Sequence, residues 1–280
     1  MKHLNKPNIF ESSEYIYLNC ANDFKKKKEY EPLVKKYKGS VKKAAGDYDR
    51  MIPKDIAGYV CPKVDKNDEV FFKDLYKQKF SNKESVGRKY YDRIMLNGGR
   101  NCPICELNTP PRELDHFLPK SKYPLLCVLP ENLIPICYDC NHNKSSIFIN
   151  DYYLIPFHPY YEEITEQWLE CKISYFSDMS CETIFYNGCS KSNPLWGKYE
   201  AQFNTYGLSE RYNLSGIAYV DSMRIDHELD FKAGGEKCVY DALINRKKIE
   251  EAKNVNSYES ATVRAVIDGF DKYIEWLNLF

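Results

Sequence analysis

The 280-residue chain has no apolar run approaching the roughly 18 residues that a membrane-spanning helix needs, and no leader of basic, apolar and small residues at its start. A spanning helix is thereby excluded, and the expected setting is the cytoplasm with no membrane partner. The chain has no Gly-x-x-x-x-Gly-Lys-Ser/Thr run. It therefore lacks a phosphate-binding loop of that kind, and any energy-dependent gate must come from another protein. No helix with paired Arg, Asn or Gln side chains stands out for reading base edges, so sequence-specific DNA recognition is not expected. The eleven cysteines are an odd number with no disulfide framework, which again suits a reducing compartment. Net charge is zero, from 40 Lys plus Arg against 40 Asp plus Glu.

That zero hides a gradient. Residues 1–100 carry 23 Lys/Arg against 14 Asp/Glu, a net of +9. Residues 101–144 carry 4 against 5, and residues 145–280 carry 13 against 21, a net of −8. The basic front supplies candidate phosphate contacts, whereas the acidic rear repels nucleic acid and suits solvent or a protein partner.

The most informative stretch is 102–144. It holds Cys102-x-x-Cys105 and Cys137-x-x-Cys140. Four thiolates in two such pairs match a closed tetrahedral zinc site, which fills the metal's shell and makes it structural. A segment of this length has little core of its own, so the metal would contribute folding energy directly. Between and after the pairs stand Asp115, His116, Asn132 and Asn141. The run Leu114–Pro119 alternates apolar and polar residues and stops at a proline, as a short strand does. Neighbours on a strand point to opposite faces, so Asp115 and His116 share a cleft only if a bulge or the strand's end re-aims one of them. Asn141 opens Asn-His-Asn-Lys-Ser-Ser, a plausible helix start, and Lys144 lies three residues on. A carboxylate with an amide oxygen is a hard-oxygen set suited to Mg²⁺ or Mn²⁺. A neutral histidine beside that metal can take a proton from water, and Asn132 is expected to hold its ring.

Asp115-His116-x-x-Pro119, then Asn132-Leu133, then Cys137-x-x-Cys140-Asn141-x-x-Lys144 resembles the zinc-bearing HNH endonucleases of the ββα-metal class. The resemblance implies that Asp115 and Asn141 hold the catalytic metal, that His116 is the general base and that Asn132 orients it. Asn stands where the literal motif has its last His, and His142 next door is an alternative ligand. The stretch 153–161, Tyr-Leu-Ile-Pro-Phe-His-Pro-Tyr-Tyr, and the run Tyr-Gly-Leu-Ser-Glu-Arg-Tyr-Asn at 206–213 resemble the HNH effectors of Septu-type and retron-associated anti-phage systems. That likeness implies double-stranded DNA as substrate and an SMC-like or ABC-type ATPase as partner. His158 within it reads as a packed residue.

Elsewhere, 24–43 reads as a lysine-rich helix, either a DNA-backbone contact or a solvated face. Helices are expected over 71–80 and 85–95, strands over 125–129, 168–176 and 183–186, and two closing helices over 236–252 and 258–279. Residues 190–198 read as loop. The second Asp-His pair, Asp226-His227, falls in a helical stretch with no following Asn or Cys-x-x-Cys, so it reads as a core or surface histidine. The expected fold class is α+β, a mostly helical chain with an embedded zinc-stabilised ββα-metal (HNH) module. Its segments are a basic 1–100, a nuclease core 101–150 and an acidic 151–280. The expected function is a metal-dependent DNA endonuclease of anti-phage defence, with self-association attractive because one centre cuts one strand at a time. The alternatives are a non-catalytic zinc-stabilised DNA-binding or adaptor protein, and an RNA-directed HNH-like nuclease.

Overall fold

Val34, Tyr37, Val41, Ala44, Ala45 and Tyr48 recur at three- and four-residue spacing and are buried along one side of α2, Glu31–Met51. Pro32 stands in the first turn, where its missing N–H costs nothing. The opposite side carries Lys35, Lys36, Lys38, Lys42 and Lys43, and each of them has a carboxylate partner. Lys38 and Lys42 reach Glu14 at 3.1 and 3.2 Å, and Lys36 reaches Asp65 and Asp68. Lys35 and Lys43 pair within the helix, with Glu31 and Asp47. The protein is described here by a computed structural model covering residues 1–24, 27–146 and 148–280. Lys25 and Lys26 of the predicted lysine helix, and Ile147, lie outside the described residues.

The chain divides into two compact units, Met1–Ile164 and Thr165–Phe280. The basic 1–100 segment and the cysteine stretch both belong to the first. Ser12 caps α1, Ser13–Ala21, accepting from the Tyr15 amide. Helix α3, Glu69–Asp74, runs into a π-helical turn, Leu75–Phe80. Phe24, Tyr30, Phe71 and Phe72 form an aromatic core there, with ring centroids 5.0 to 6.0 Å apart. Helix α4, Arg88–Asn97, ends at Gly98-Gly99. Gly98 lies against Pro135 so closely that a Cβ would come within 2.6 Å of it, and Gly99 has φ +74°. These glycines turn the chain into the first cysteine pair.

Strand β1, Glu113–His116, pairs antiparallel with β2, Leu133–Ile136, in the register Glu113↔Ile136 to His116↔Leu133. Helix α5, Tyr138–Lys144, follows. The strand expected over 125–129 is not one. Pro124–Leu126 and Pro130–Asn132 are short 3₁₀ turns, and β2 comes later. The prolines fix φ and lack the N–H a ladder needs, while Leu125 to Leu129 are apolar because they are enclosed, not because they are extended. Helix α5 also starts three residues before Asn141, with Cys137 in extended conformation at its N-cap.

In the second unit β3, Leu169–Tyr175, and β4, Cys181–Asn187, form an antiparallel hairpin close to the expected strands. Helix α6, Trp196–Thr205, begins inside the stretch read as loop. Helix α7, Leu208–Lys253, breaks at Gly234 and Gly235, the latter at φ +67°, so its second arm coincides with the predicted helix at 236–252. The last predicted helix is interrupted at Gly269 into α8, Tyr258–Asp268, and α9, Phe270–Leu277. Val220, Met223, Val239, Leu243, Val263, Val266, Tyr273 and Trp276 close this unit's core. His227 is buried in it with Nδ1 2.7 Å from the Tyr273 hydroxyl, the core and not the surface form of the two readings of Asp226-His227. The described residues are mostly helical with two small antiparallel hairpins, and no helix among them is long and apolar enough to cross a membrane.

Candidate functional site

The loop before β1 carries Cys102 and Cys105, while the start of α5 carries Cys137 and Cys140. The β1–β2 pairing brings the two loops together. All four sulfurs are buried and lie within 4.8 Å of one another, and none forms a disulfide. Cys105 Sγ is 4.0 Å from Cys137 Sγ, and the Cys137 amide donates to Cys102 Sγ at 3.3 Å. A tetrahedral ion with metal–sulfur bonds near 2.3 Å has sulfur–sulfur edges of about 3.8 Å, so the cluster has the dimensions of a metal site. The four thiols share hydrogen bonds that pull Cys102 and Cys137 down and push Cys105 and Cys140 up, so they titrate as one cluster.

Glu113 and Asp115 stand two residues apart on β1 and so share a face. Asn141 and Lys144, three apart on α5, meet that face. Asn141 Nδ2 donates to Glu113 Oε2 at 2.5 Å. Lys144 Nζ is 2.6 Å from Asp115 Oδ2 and donates to the His116 carbonyl at 2.8 Å. Asp115 and Lys144 are both buried. Burial pushes the Asp115 carboxyl above its usual range, against the pull of the Lys144 ammonium. The structure thus sets Asp115 and Asn141 on facing elements and gives each another partner. His142 is exposed and stacks on Tyr138 at 5.8 Å, whereas Asn141 is the residue turned onto β1.

His116 is the last residue of β1, and the ladder runs to it without an inserted residue. Its ring is buried, and Nε2 lies 2.9 Å from the Cys127 carbonyl oxygen. A carbonyl only accepts, so Nε2 carries the hydrogen and Nδ1 of the neutral ring keeps its lone pair. Burial, helped by Lys120, pushes the imidazole down to about 3. The expected hold of Asn132 on this ring is corrected: the amide grips backbone instead. Asn132 Oδ1 accepts from the Leu118 amide at 2.8 Å, and Nδ2 donates to the Leu118 carbonyl at 3.1 Å. Backbone pairing ends with the Phe117 amide on the Asn132 carbonyl at 2.8 Å, and a side-chain amide is the group that satisfies the stranded N–H and C=O of Leu118 together. His158 is packed as read, 2.9 Å from the Tyr48 hydroxyl and with its ring 4.1 Å from that of Phe117.

Three neighbours escaped sequence reading. Glu113 was detectable, since it stands at i−2 from Asp115 on a strand. Tyr76 comes from the π-helical turn, its ring 4.6 Å from that of His116 and its hydroxyl donating to the Leu114 carbonyl at 3.3 Å. Lys120 places its ammonium 4.5 Å above the Tyr76 ring. Neither Tyr76 nor Lys120 has a local signal.

Comparison finds one similar curated protein. The chain is 31% identical over 173 residues to "Protein ea31" of Escherichia phage lambda, an alignment covering 60% of this chain and 57% of that protein. The chain therefore spans little more than half the length of this relative, whose name states no activity. No family model matches the chain, and no solved structure matches it significantly.

Proposed function

We propose that the chain is a metal-dependent DNA endonuclease built on a zinc-stabilised ββα-metal module of the HNH kind. The observation that carries this reading is the fixed imidazole of His116. Its Nε2–H is committed to the Cys127 carbonyl, leaving Nδ1 as the atom that takes a proton from water. The four-cysteine cluster fits structural zinc in number, burial and spacing. For the catalytic metal the candidate ligands are the hard oxygens of Asp115 and Asn141, carried on β1 and α5. The Asp115 carboxylate already accepts one positive charge, that of Lys144, and Asn141, donating through Nδ2 to Glu113, has its carbonyl oxygen as the ligand atom. When bound there, Mg²⁺ or Mn²⁺ would stabilise charge on the scissile phosphate and its leaving oxygen. Asn132 holds the turn that follows His116 and so positions the base indirectly.

The wider role we propose is that of a cytoplasmic nuclease effector in anti-phage defence, cutting double-stranded DNA under the control of an SMC-like or ABC-type ATPase. Its support is the likeness of 153–161 and 206–213 to Septu-type effectors, the missing phosphate-binding loop, and the acidic second unit. Thr165–Phe280 holds 13 Lys/Arg against 18 Asp/Glu, a net of −5.

One observation favours a second reading, a zinc-stabilised DNA-binding or adaptor protein. Lys144 sits on the Asp115 carboxylate, and Asn141 bonds Glu113 rather than Asp115. Plasmid cleavage with Mg²⁺ or Mn²⁺, wild type against His116→Ala and with the candidate ATPase added, separates the two. Cleavage lost in the variant supports the nuclease. Equal DNA binding with no cleavage by either protein, with or without the ATPase, supports the adaptor.

A further inference from the structure

We propose that Lys120, seated over the Tyr76 ring, is the subsite that holds a phosphodiester of the substrate beside His116; the identity of the anion rests on the nuclease reading above. Lys120 is placed by the backbone. The N–H and C=O of Leu118 are both bonded to Asn132, Pro119 follows with a fixed φ, and Lys120 is next. The π-helical turn, in which the Ser81 amide reaches the Tyr76 carbonyl at 2.8 Å, presents Tyr76. Its hydroxyl anchors it to β1. One ring thus touches the strand's backbone, the His116 imidazole and the Lys120 ammonium, which lies 4.5 Å from its centroid.

The charge pattern separates Lys120 from the lysines of α2. Each of those pairs with a carboxylate. Among the described residues Lys120 has no ion-pair partner, although its charge acts on both Asp115 and His116. The residue as a whole is exposed, although partial burial of the ammonium pushes it below its ordinary range, as expected for a charge seated against a ring. A cation–π contact at an exposed position is weak, too weak to hold an ammonium away from carboxylates for stability alone. An ammonium backed by an aromatic wall, open in front and next to a neutral base, is suited to an anion arriving from solvent. Lysine serves here as a point charge and not as a reader of bases.

The test uses the full chain and a short fluorescent duplex without added divalent cation, with affinity followed across salt concentrations. Lys120→Gln lowers the slope of log affinity against log salt by about 1, the loss of one phosphate contact. Lys172→Gln, which removes a lysine lying over Tyr186 in the second unit, leaves the slope unchanged. With Mg²⁺ added, Lys120→Gln raises KM and Lys120→Arg restores it. An unchanged slope in Lys120→Gln, an equal loss in Lys172→Gln, or no duplex binding by the wild type overturns the subsite. A wild type that never cuts DNA but loses slope with Lys120→Gln leaves the phosphate site standing and removes the nuclease reading.

Discussion

His116 Nε2 and the Cys127 carbonyl oxygen are 2.9 Å apart across the loop that joins β1 to β2. This bond chooses the tautomer. Because the acceptor is backbone, substitutions at Cys127 that fit its buried site leave it in place, whereas any change of His116 removes the proposed base itself.

His116→Ala is therefore expected to lower cleavage by about 10² to 10⁴, the usual range for a lost general base, with fold and zinc content kept. Turnover near the wild-type rate at saturating Mg²⁺ would show that another group activates the water. Circular dichroism and metal analysis on the same samples exclude a trivial loss of structure.

The metal cluster should behave in the opposite way. Cys137 is both a ligand candidate and the N-cap of α5, so Cys137→Ser opens the cluster and frees the helix that carries Asn141 and Lys144. Loss of zinc is expected to appear together with a lower melting temperature and protease sensitivity. A zinc-free variant that stays folded and active would refute the structural role.

Asn132 gives a stability test. Its side chain is fully buried and satisfies both backbone groups of Leu118. Asn132→Ala leaves both groups unpaired, at about 1–3 kcal/mol for each stranded buried group, or roughly 2–6 kcal/mol together. Denaturant unfolding should report a loss of that size, with activity falling further if the turn after His116 shifts. A variant as stable as the wild type would mean that water or relaxation replaces the amide.

The cysteine cluster was legible in the sequence. The cysteine spacing announced it, and the sequence singled out Asp115 and Asn141, which lie on the facing elements β1 and α5. The contacts were not legible where they depend on chain reversal or on distant elements. Leu125 to Leu129 looked like a strand because enclosed and extended segments are equally apolar, and only Pro124 and Pro130 hinted at turns. Tyr76 lies about forty residues before His116 and enters through a π-helical turn, whose register no local periodicity encodes. The lysines of α2 were visible, but their carboxylate partners at Glu14, Asp65 and Asp68 come from separate segments. In the second unit, Gly234-Gly235 and Gly269 set the helix breaks, and the apolar spacing around them supplied the helices.

The buried imidazole predicts a pH response. In the folded chain His116 titrates at about 3, against 6.5 for an unperturbed histidine. Between those values the unfolded chain binds a proton that the folded chain refuses, so acidification favours unfolding by up to about 1.4 kcal/mol per pH unit. The contribution is fully present above 6.5 and is lost as pH falls towards 3. Asp115, raised by burial, acts in the opposite sense, but equally in wild type and in His116→Gln. The difference between the two proteins isolates the histidine: His116→Gln should flatten the fall in stability between about pH 4.5 and 6.5. Parallel curves would place the imidazole in water.

Lys144 supplies the sharpest test of whether Asp115 is a metal ligand. Its ammonium meets the Asp115 carboxylate at 2.6 Å, and both side chains are buried. Removing one partner of a buried pair leaves an uncompensated charge and typically costs about 3–5 kcal/mol. Lys144→Met keeps the length and apolar stem of the side chain while deleting the charge, so the loss falls on Asp115 and on the His116 carbonyl that Lys144 also bonds. A divalent cation that binds this carboxylate restores the missing charge and stabilises the folded state by mass action. Thermal melts are therefore expected to show Lys144→Met less stable than wild type without divalent cation, and to gain more from saturating Mg²⁺ than wild type does. In Lys144→Met/Asp115→Asn the extra gain should vanish, because the carboxylate that draws the cation is gone. If Mg²⁺ raises the melting temperature equally in all three proteins, the cation binds elsewhere. Asp115 would then be half of a structural ion pair, and the second reading, an adaptor without a catalytic metal, would take precedence.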